Sequence, residues 1–151
     1  MNTTPIPAVR PLPRAAGPRA ATSGVSLSLP FANDPRCLGG LRAAAAAFLR
    51  DTRPARAAHL ADVLLVVTEL AANVVRHTDG PGQLTLVAHP DGTRIEASDT
   101  SRALPVVLPF APGLGHGRGL LLVRALAENL SLTLDPGSGK TIRATLRDRS
   151  A

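Results

Sequence analysis

The chain has neither tryptophan nor tyrosine, and only three phenylalanines. A core built from it must therefore be leucine, valine and alanine, and no aromatic platform is available on which to stack single-stranded nucleic acid bases. There is one cysteine, Cys37, so no internal disulfide and no cysteine-based zinc cluster can form, and a reducing compartment fits. The four histidines (59, 77, 89 and 116) lie too far apart in sequence to form a paired metal motif. No uninterrupted apolar run approaches the ~20 residues that span a bilayer, and the arginine-bearing first 24 residues hold no apolar signal-peptide core. The expectation is a cytoplasmic chain with no membrane association.

What is present is basic and apolar. Lysine and arginine together number 17 against 11 acidic residues, and 44% of the 151 residues are hydrophobic. Lys140 is the sole lysine; every other basic residue is arginine. The arginines are scattered rather than gathered in a stripe, so the formal charge of +6 does not point to nucleic acid.

Residues 1–24, with five prolines, read as a disordered Pro/Arg-rich tail, and 25–149 as one domain. VSLSLPF (25–31) alternates as a short strand ending near Pro30. Asn33 or Asp34 can cap a helix opening at Pro35 and running through LRAAAAAFLR to about Asp51. Pro54 opens a second helix through HLADVLLVVTELAANVVRHT, closed by Asp79-Gly80-Pro81-Gly82. QLTLVAHPDGTRIEAS reads as a hairpin turning at Pro90-Asp91-Gly92. Residues 99–118 are a long loop rich in proline and glycine, of the functional or mobile kind. GLLLVRALAENL is a third helix, and SLTLD with KTIRATLR forms a second hairpin. This order predicts a two-layer α/β sandwich, a mixed and largely antiparallel sheet with three helices on one face.

The chemistry starts at TELAANVVRHT (68–78). On a helix Glu69, Asn73 and His77 drift only about 40° per step and make one polar stripe. The segment around them is apolar nearly all round, and an unpaired amide in such surroundings costs roughly 2–7 kcal/mol. A ligand relieves that cost. An asparagine oxygen suits Mg²⁺ held jointly with phosphates, and a nearby glutamate can take a proton from a nucleophile. A solvated stripe on an amphipathic helix is the plainer reading. Two segments can supply a phosphate site. GSGKT (137–141) resembles the end of a P-loop, but the first glycine of that motif falls at Leu134 and TIRATL alternates as a strand. GLGHGRGLLLV (113–123) places glycines 113, 115, 117 and 119 just before a helix, where free N–H groups favour anions. Asp99 ends the run RIEASD. It can cap a turn, or accept from the amino group of adenine, where guanine presents a carbonyl.

ELAANVVRH, a strand ending at Asp99, GHGRGLLLV and GKT together resemble the motif boxes of the gyrase, Hsp90, histidine kinase and MutL ATPase superfamily. The likeness covers about residues 25–147 and is strongest to the short actinobacterial ATP-binding proteins similar to anti-sigma-factor serine/threonine kinases. It implies the histidine-kinase-like ATPase fold, with ATP and Mg²⁺ as cofactors. It also implies Glu69 as catalytic base, Asn73 as Mg²⁺ ligand and Asp99 as adenine contact. Gly115, Gly117, Arg118, Gly119 and Leu120 would form the phosphate-wrapping segment, and Thr141 would support the adenine contact. The sequence departs from the family after Asp99, where Thr-Ser-Arg-Ala stands in place of two glycines. The activity implied is phosphoryl transfer to a serine or threonine of an antagonist (anti-anti-sigma) protein. The partners are that antagonist and a sigma factor, with a homodimer by analogy, and the outcome is regulation of transcription by partner switching. The alternative is a non-catalytic, ATP-gated protein-binding module.

Overall fold

The structure is a computed structural model of the chain and describes residues 24–52, 57–101, 119–136 and 139–149. The expected tail and most of the expected 99–118 loop lie outside these residues, as do Gly115, Gly117 and Arg118.

Strands β1 (Val25–Phe31), β2 (Gly82–His89), β3 (Gly92–Asp99), β4 (Asn129–Leu134) and β5 (Lys140–Arg147) form one sheet in the order β1-β2-β3-β5-β4. Every pairing is antiparallel, so the expected parallel component is absent from the described sheet. Helices α1 (Cys37–Thr52), α2 (Ala57–His77) and α3 (Gly119–Leu126) account for the second layer.

The register explains the layering. Leu27, Leu86, Ile95, Ala144 and Leu130 form one row across all five strands, and Leu29, Leu84, Ala97, Ile142 and Leu132 form the next. Residues directly opposite in a ladder point to the same face, so these rows make a continuous apolar surface that joins the core with Leu41, Ala45 and Leu49 of α1 and Val63, Val66, Val67, Leu70 and Val74 of α2. The opposite face is polar. There Ser28 meets Thr85 at 3.1 Å, Ser98 meets Thr141 at 2.9 Å, and Glu96 lies 2.8 Å from Arg143.

Local chemistry sets the ends of the elements. Helix α1 begins at Cys37, two residues after the expected Pro35, because Asp34 holds the preceding turn: its carboxylate accepts from the Arg36 backbone N–H at 2.9 Å and its carbonyl from Cys37 at 3.0 Å. Hydrogen bonds from the Arg36 side chain, and secondarily from its backbone, hold the Asp34 carboxyl below its usual range. Asn33 is not the cap. Its amide donates to the Thr78 carbonyl and ties the strand end to the end of α2. Helix α3 stops at Leu126, four residues short of the expected end, because Asn129–Leu134 pairs with β5 and places Leu130 and Leu132 over the core. Gly82, expected in the turn after α2, is the first residue of β2, and a side chain there would collide with the ring of Phe31.

Helix α2 is apolar over its length but not without interruption. At 21 residues and a mean hydropathy of 1.6 it is long and apolar enough to cross a bilayer, although Asp62, Glu69 and Arg76 interrupt it. Eight of its residues are buried, and Val63, Val66, Val67, Leu70, Ala71 and Val74 among them pack in the shared core.

Two glycines predict opposite outcomes. A β-carbon at Gly92 would lie 2.1 Å from the Leu146 carbonyl oxygen, which is backbone and cannot step aside, whereas Gly40 sits within α1 with nothing near its would-be side chain. Gly92→Ala should lose about 1–3 kcal/mol, and Gly40→Ala should gain about 0.5–1 kcal/mol. Urea denaturation of both variants checks the pair.

Candidate functional site

Helix α2 and strand β3 run in the same sense. At one end buried His59 bonds to Thr93 through Nε2 and Oγ1 at 3.0 Å. At the other, the turn after α2 meets the residue after β3: a β-carbon at Gly80 would lie 2.6 Å from Thr100 Oγ1. From His59 to Asn73 the helix rises about 21 Å, and from Thr93 to Asp99 the strand spans about 20 Å. By these rises Asn73 lies toward the Asp99 end of β3, and Glu69 one turn earlier. Around the helix axis Asn73 is only about 40° from the sheet-facing His59, and Glu69 about 80°. The polar stripe thus runs along the margin of the buried face. Val66 and Leu70, both fully buried, lie on its sheet-facing side.

Glu69 and Asn73 are each partly buried, and neither makes a side-chain hydrogen bond or ion pair among the described residues. Their neighbour Thr68, by contrast, donates to the Leu64 carbonyl at 2.8 Å. The first residue of α3 closes on Glu69. A β-carbon at Gly119 would lie 2.1 Å from Glu69 Oε2 and 3.1 Å from its carboxyl carbon, so only glycine leaves that carboxylate undisturbed. Leu120 turns inward and is 9% exposed, joining the core. The last glycine of the glycine segment is thus brought to Glu69, and α3 opens with its N-terminus beside that carboxylate. His77, the last residue of α2, is exposed.

Asp99 is buried at the end of β3, directly opposite Lys140 at the start of β5. The two side chains are each 2% exposed and form an ion pair, with Lys140 Nζ 2.9 Å from Oδ2 and 3.0 Å from Oδ1. Lys140 donates also to the Ser101 carbonyl at 3.3 Å, and the Ser101 N–H donates to Asp99 Oδ1 at 2.8 Å. Gly139 makes the pairing possible. Its φ is +61°, and a β-carbon there would overlap the Asp99 carbonyl oxygen at 1.8 Å. The lysine of GKT therefore lies inside the domain as the first residue of a strand, in agreement with rejecting a P-loop.

The structure separates Thr141 from this group. It follows Lys140 in the strand and points to the opposite, polar face, where it bonds to Ser98 at 2.9 Å and to Asp135 at 3.0 Å. The residue that reaches Asp99 is Lys140, which the motif comparison passes over. Its signal in the sequence is its singularity, one lysine among many arginines, but only the register of two hairpins sets it against Asp99.

Among the described residues no three His, Cys, Asp or Glu side chains gather as a metal site. The donor set that suits a hard cation is the unpaired Asn73 oxygen, with Glu69 beside it, a set that needs phosphate oxygens to complete the coordination.

The fold has known counterparts. A family model described as the histidine kinase-like ATPase domain matches residues 31–146. Among solved structures, the chain is similar to the RsbU and RsbW domains of Rv1364c from Mycobacterium tuberculosis, with 19% identity and a TM-score of 0.62 over 82% of this chain and 32% of that one. The match thus covers about a third of the chain in that structure. A search of curated protein sequences gives no match.

The ion pair yields a prediction. Lys140→Met leaves Asp99 buried and unpaired and should cost about 3–5 kcal/mol, while adding Asp99→Leu should recover most of it, since a buried pair and an apolar replacement are often near parity. Chemical denaturation of the single and double variants measures the difference.

Proposed function

Since the chain belongs to the histidine kinase-like ATPase domain family, we propose that it binds ATP and acts as an anti-sigma-factor-type serine/threonine protein kinase. In this reading it holds a sigma factor in one state and phosphorylates an antagonist protein in another, in the cytoplasm and as a homodimer. The observation that carries the proposal is the unpaired Glu69–Asn73 stripe, partly buried on an otherwise apolar helix, with Gly119 pressed against the Glu69 carboxylate. A purely structural glutamate at such a place would be expected to have a partner.

Each group has a chemical task. Glu69 accepts the proton of the attacking serine or threonine hydroxyl as the new O–P bond forms to the γ-phosphorus and the bond to the bridging oxygen breaks, releasing ADP. Asn73 would hold Mg²⁺ together with phosphate oxygens, and the metal would supply charge neutralisation there. The N-terminus of α3, with Gly119 and Leu120 in its first turn and Gly115, Gly117 and Arg118 preceding it, would cradle the phosphates through backbone N–H groups. Asp99 would border the base.

The experiment is transfer from radiolabelled ATP to co-purified partner proteins, alongside nucleotide binding and apo melting. Glu69→Gln keeps the shape but takes no proton, so ATP should still bind while transfer falls by about 10²–10⁴. Its apo stability should hold or rise slightly, as expected when a strained functional group is neutralised. Asn73→Ala should instead lose the Mg²⁺-dependent part of nucleotide affinity. Nucleotide bound without label on any partner serine or threonine would support the ATP-gated binding module. Early melting of Glu69→Gln with undiminished transfer by the folded fraction would make the stripe structural and end the kinase reading.

A further inference from the structure

We infer that Lys140 is a specificity-determining residue: its ammonium occupies the carboxylate of Asp99 and turns the base pocket away from selecting a 6-aminopurine. The inference rests on the nucleotide-binding reading above and adds to it which purine edge the site tolerates.

The argument starts from donor and acceptor counts. An ammonium has three N–H donors, and those of Lys140 reach both oxygens of Asp99 and the Ser101 carbonyl. The carboxylate offers about four acceptor positions. Two are taken by Lys140 and a third by the Ser101 backbone N–H. One position remains, but with both side chains 2% exposed a 6-amino group reaches it only by crowding the ammonium, and a buried cation left less well paired is costly. A 6-oxo group meets the opposite situation. It can accept from Nζ by displacing only the Ser101 carbonyl, which at 3.3 Å is the longest of the three contacts.

Neither partner can swing away cheaply. Asp99 and Lys140 are directly opposed across the β3–β5 ladder, and both side chains are 2% exposed. The positive φ of Gly139 and its packing on the Asp99 backbone fix the start of β5. The choice of residue is also specific. The chain uses arginine at every other basic position, and a compact ammonium fits between two carboxylate oxygens and a carbonyl where a planar guanidinium, with its five donors, would leave some unsatisfied.

The test compares binding of ATP and ITP, purine triphosphates that differ at the 6-position and the adjoining ring proton, by titration calorimetry with Mg²⁺. The wild-type chain should bind ITP as tightly as ATP or more so. Lys140→Thr frees the carboxylate and should shift the preference toward ATP by about tenfold or more, within the range that one base-edge contact discriminates. A wild-type preference for ATP above about tenfold overturns the inference and leaves the nucleotide-binding reading standing. So does a folded Lys140→Thr whose ATP/ITP ratio equals that of the wild type. If the variant fails to fold, the wild-type ratio decides alone. If the wild-type chain binds neither nucleotide, both this inference and the reading beneath it fall.

Discussion

Everything in this domain depends on burying α2 against one face of an antiparallel sheet. Among the described elements α2 packs against both other helices and against β2, β3 and β5, with Val63, Val66, Val67, Leu70 and Val74 in the core. Burying each such side chain is worth roughly 1.5–3 kcal/mol, so the position and rotation of α2 are set by its valines and leucines. The polar stripe follows from that. Glu69 and Asn73 sit where they do because Val66, Val67 and Leu70 have taken the sheet, leaving the stripe at the margin facing the start of α3.

A second constraint operates at the end of the sheet. The two apolar rows across the inner face give way to a third position occupied by Asp99 and Lys140, so the core ends in a buried ion pair where it might have ended in two more aliphatic residues. Such a pair adds little stability over an apolar pair of the same volume, because desolvation of both charges offsets most of their attraction. Its cost is a reason to look for a use. Among the described residues, the buried pair and the unpaired Asn73 lie toward the same end of α2 and β3.

The candidate site residues that the structure describes share one property. Glu69, Asn73, Asp99 and Lys140 all lie on regular elements tied to the core, which is where groups held to fixed geometry belong. The glycine at 119 marks the place where a neighbouring backbone must come closest to a carboxylate. The polar face of the sheet carries its own ladder of Ser98, Thr141, Glu96 and Arg143, and Thr141 makes its hydrogen bonds there, on the face opposite Asp99 and Lys140.

Periodicity alone determined much of this protein. The alternation in VSLSLPF placed β1 at 25–31, where it is found, and the Pro-Asp turn set the β2–β3 hairpin. The four-residue spacing of Glu69 and Asn73 identified the stripe, and their apolar surroundings identified it as unusual. These are local properties, legible because side-chain period and turn chemistry act over a few residues. What the sequence could not settle depended on partners distant in the chain. Helix α3 yields at Leu126 because β5 offers Asn129–Leu134 a ladder. Asn33 is drawn from capping by Thr78, 45 residues away. Above all, Asp99 and Lys140, 41 residues apart, meet only because β3 and β5 share an edge in a register that puts both on the inner face. A one-residue slip would have sent Lys140 to solvent and Thr141 to Asp99, and that choice is made by the packing of Ile142, Ala144 and Leu146 into the core.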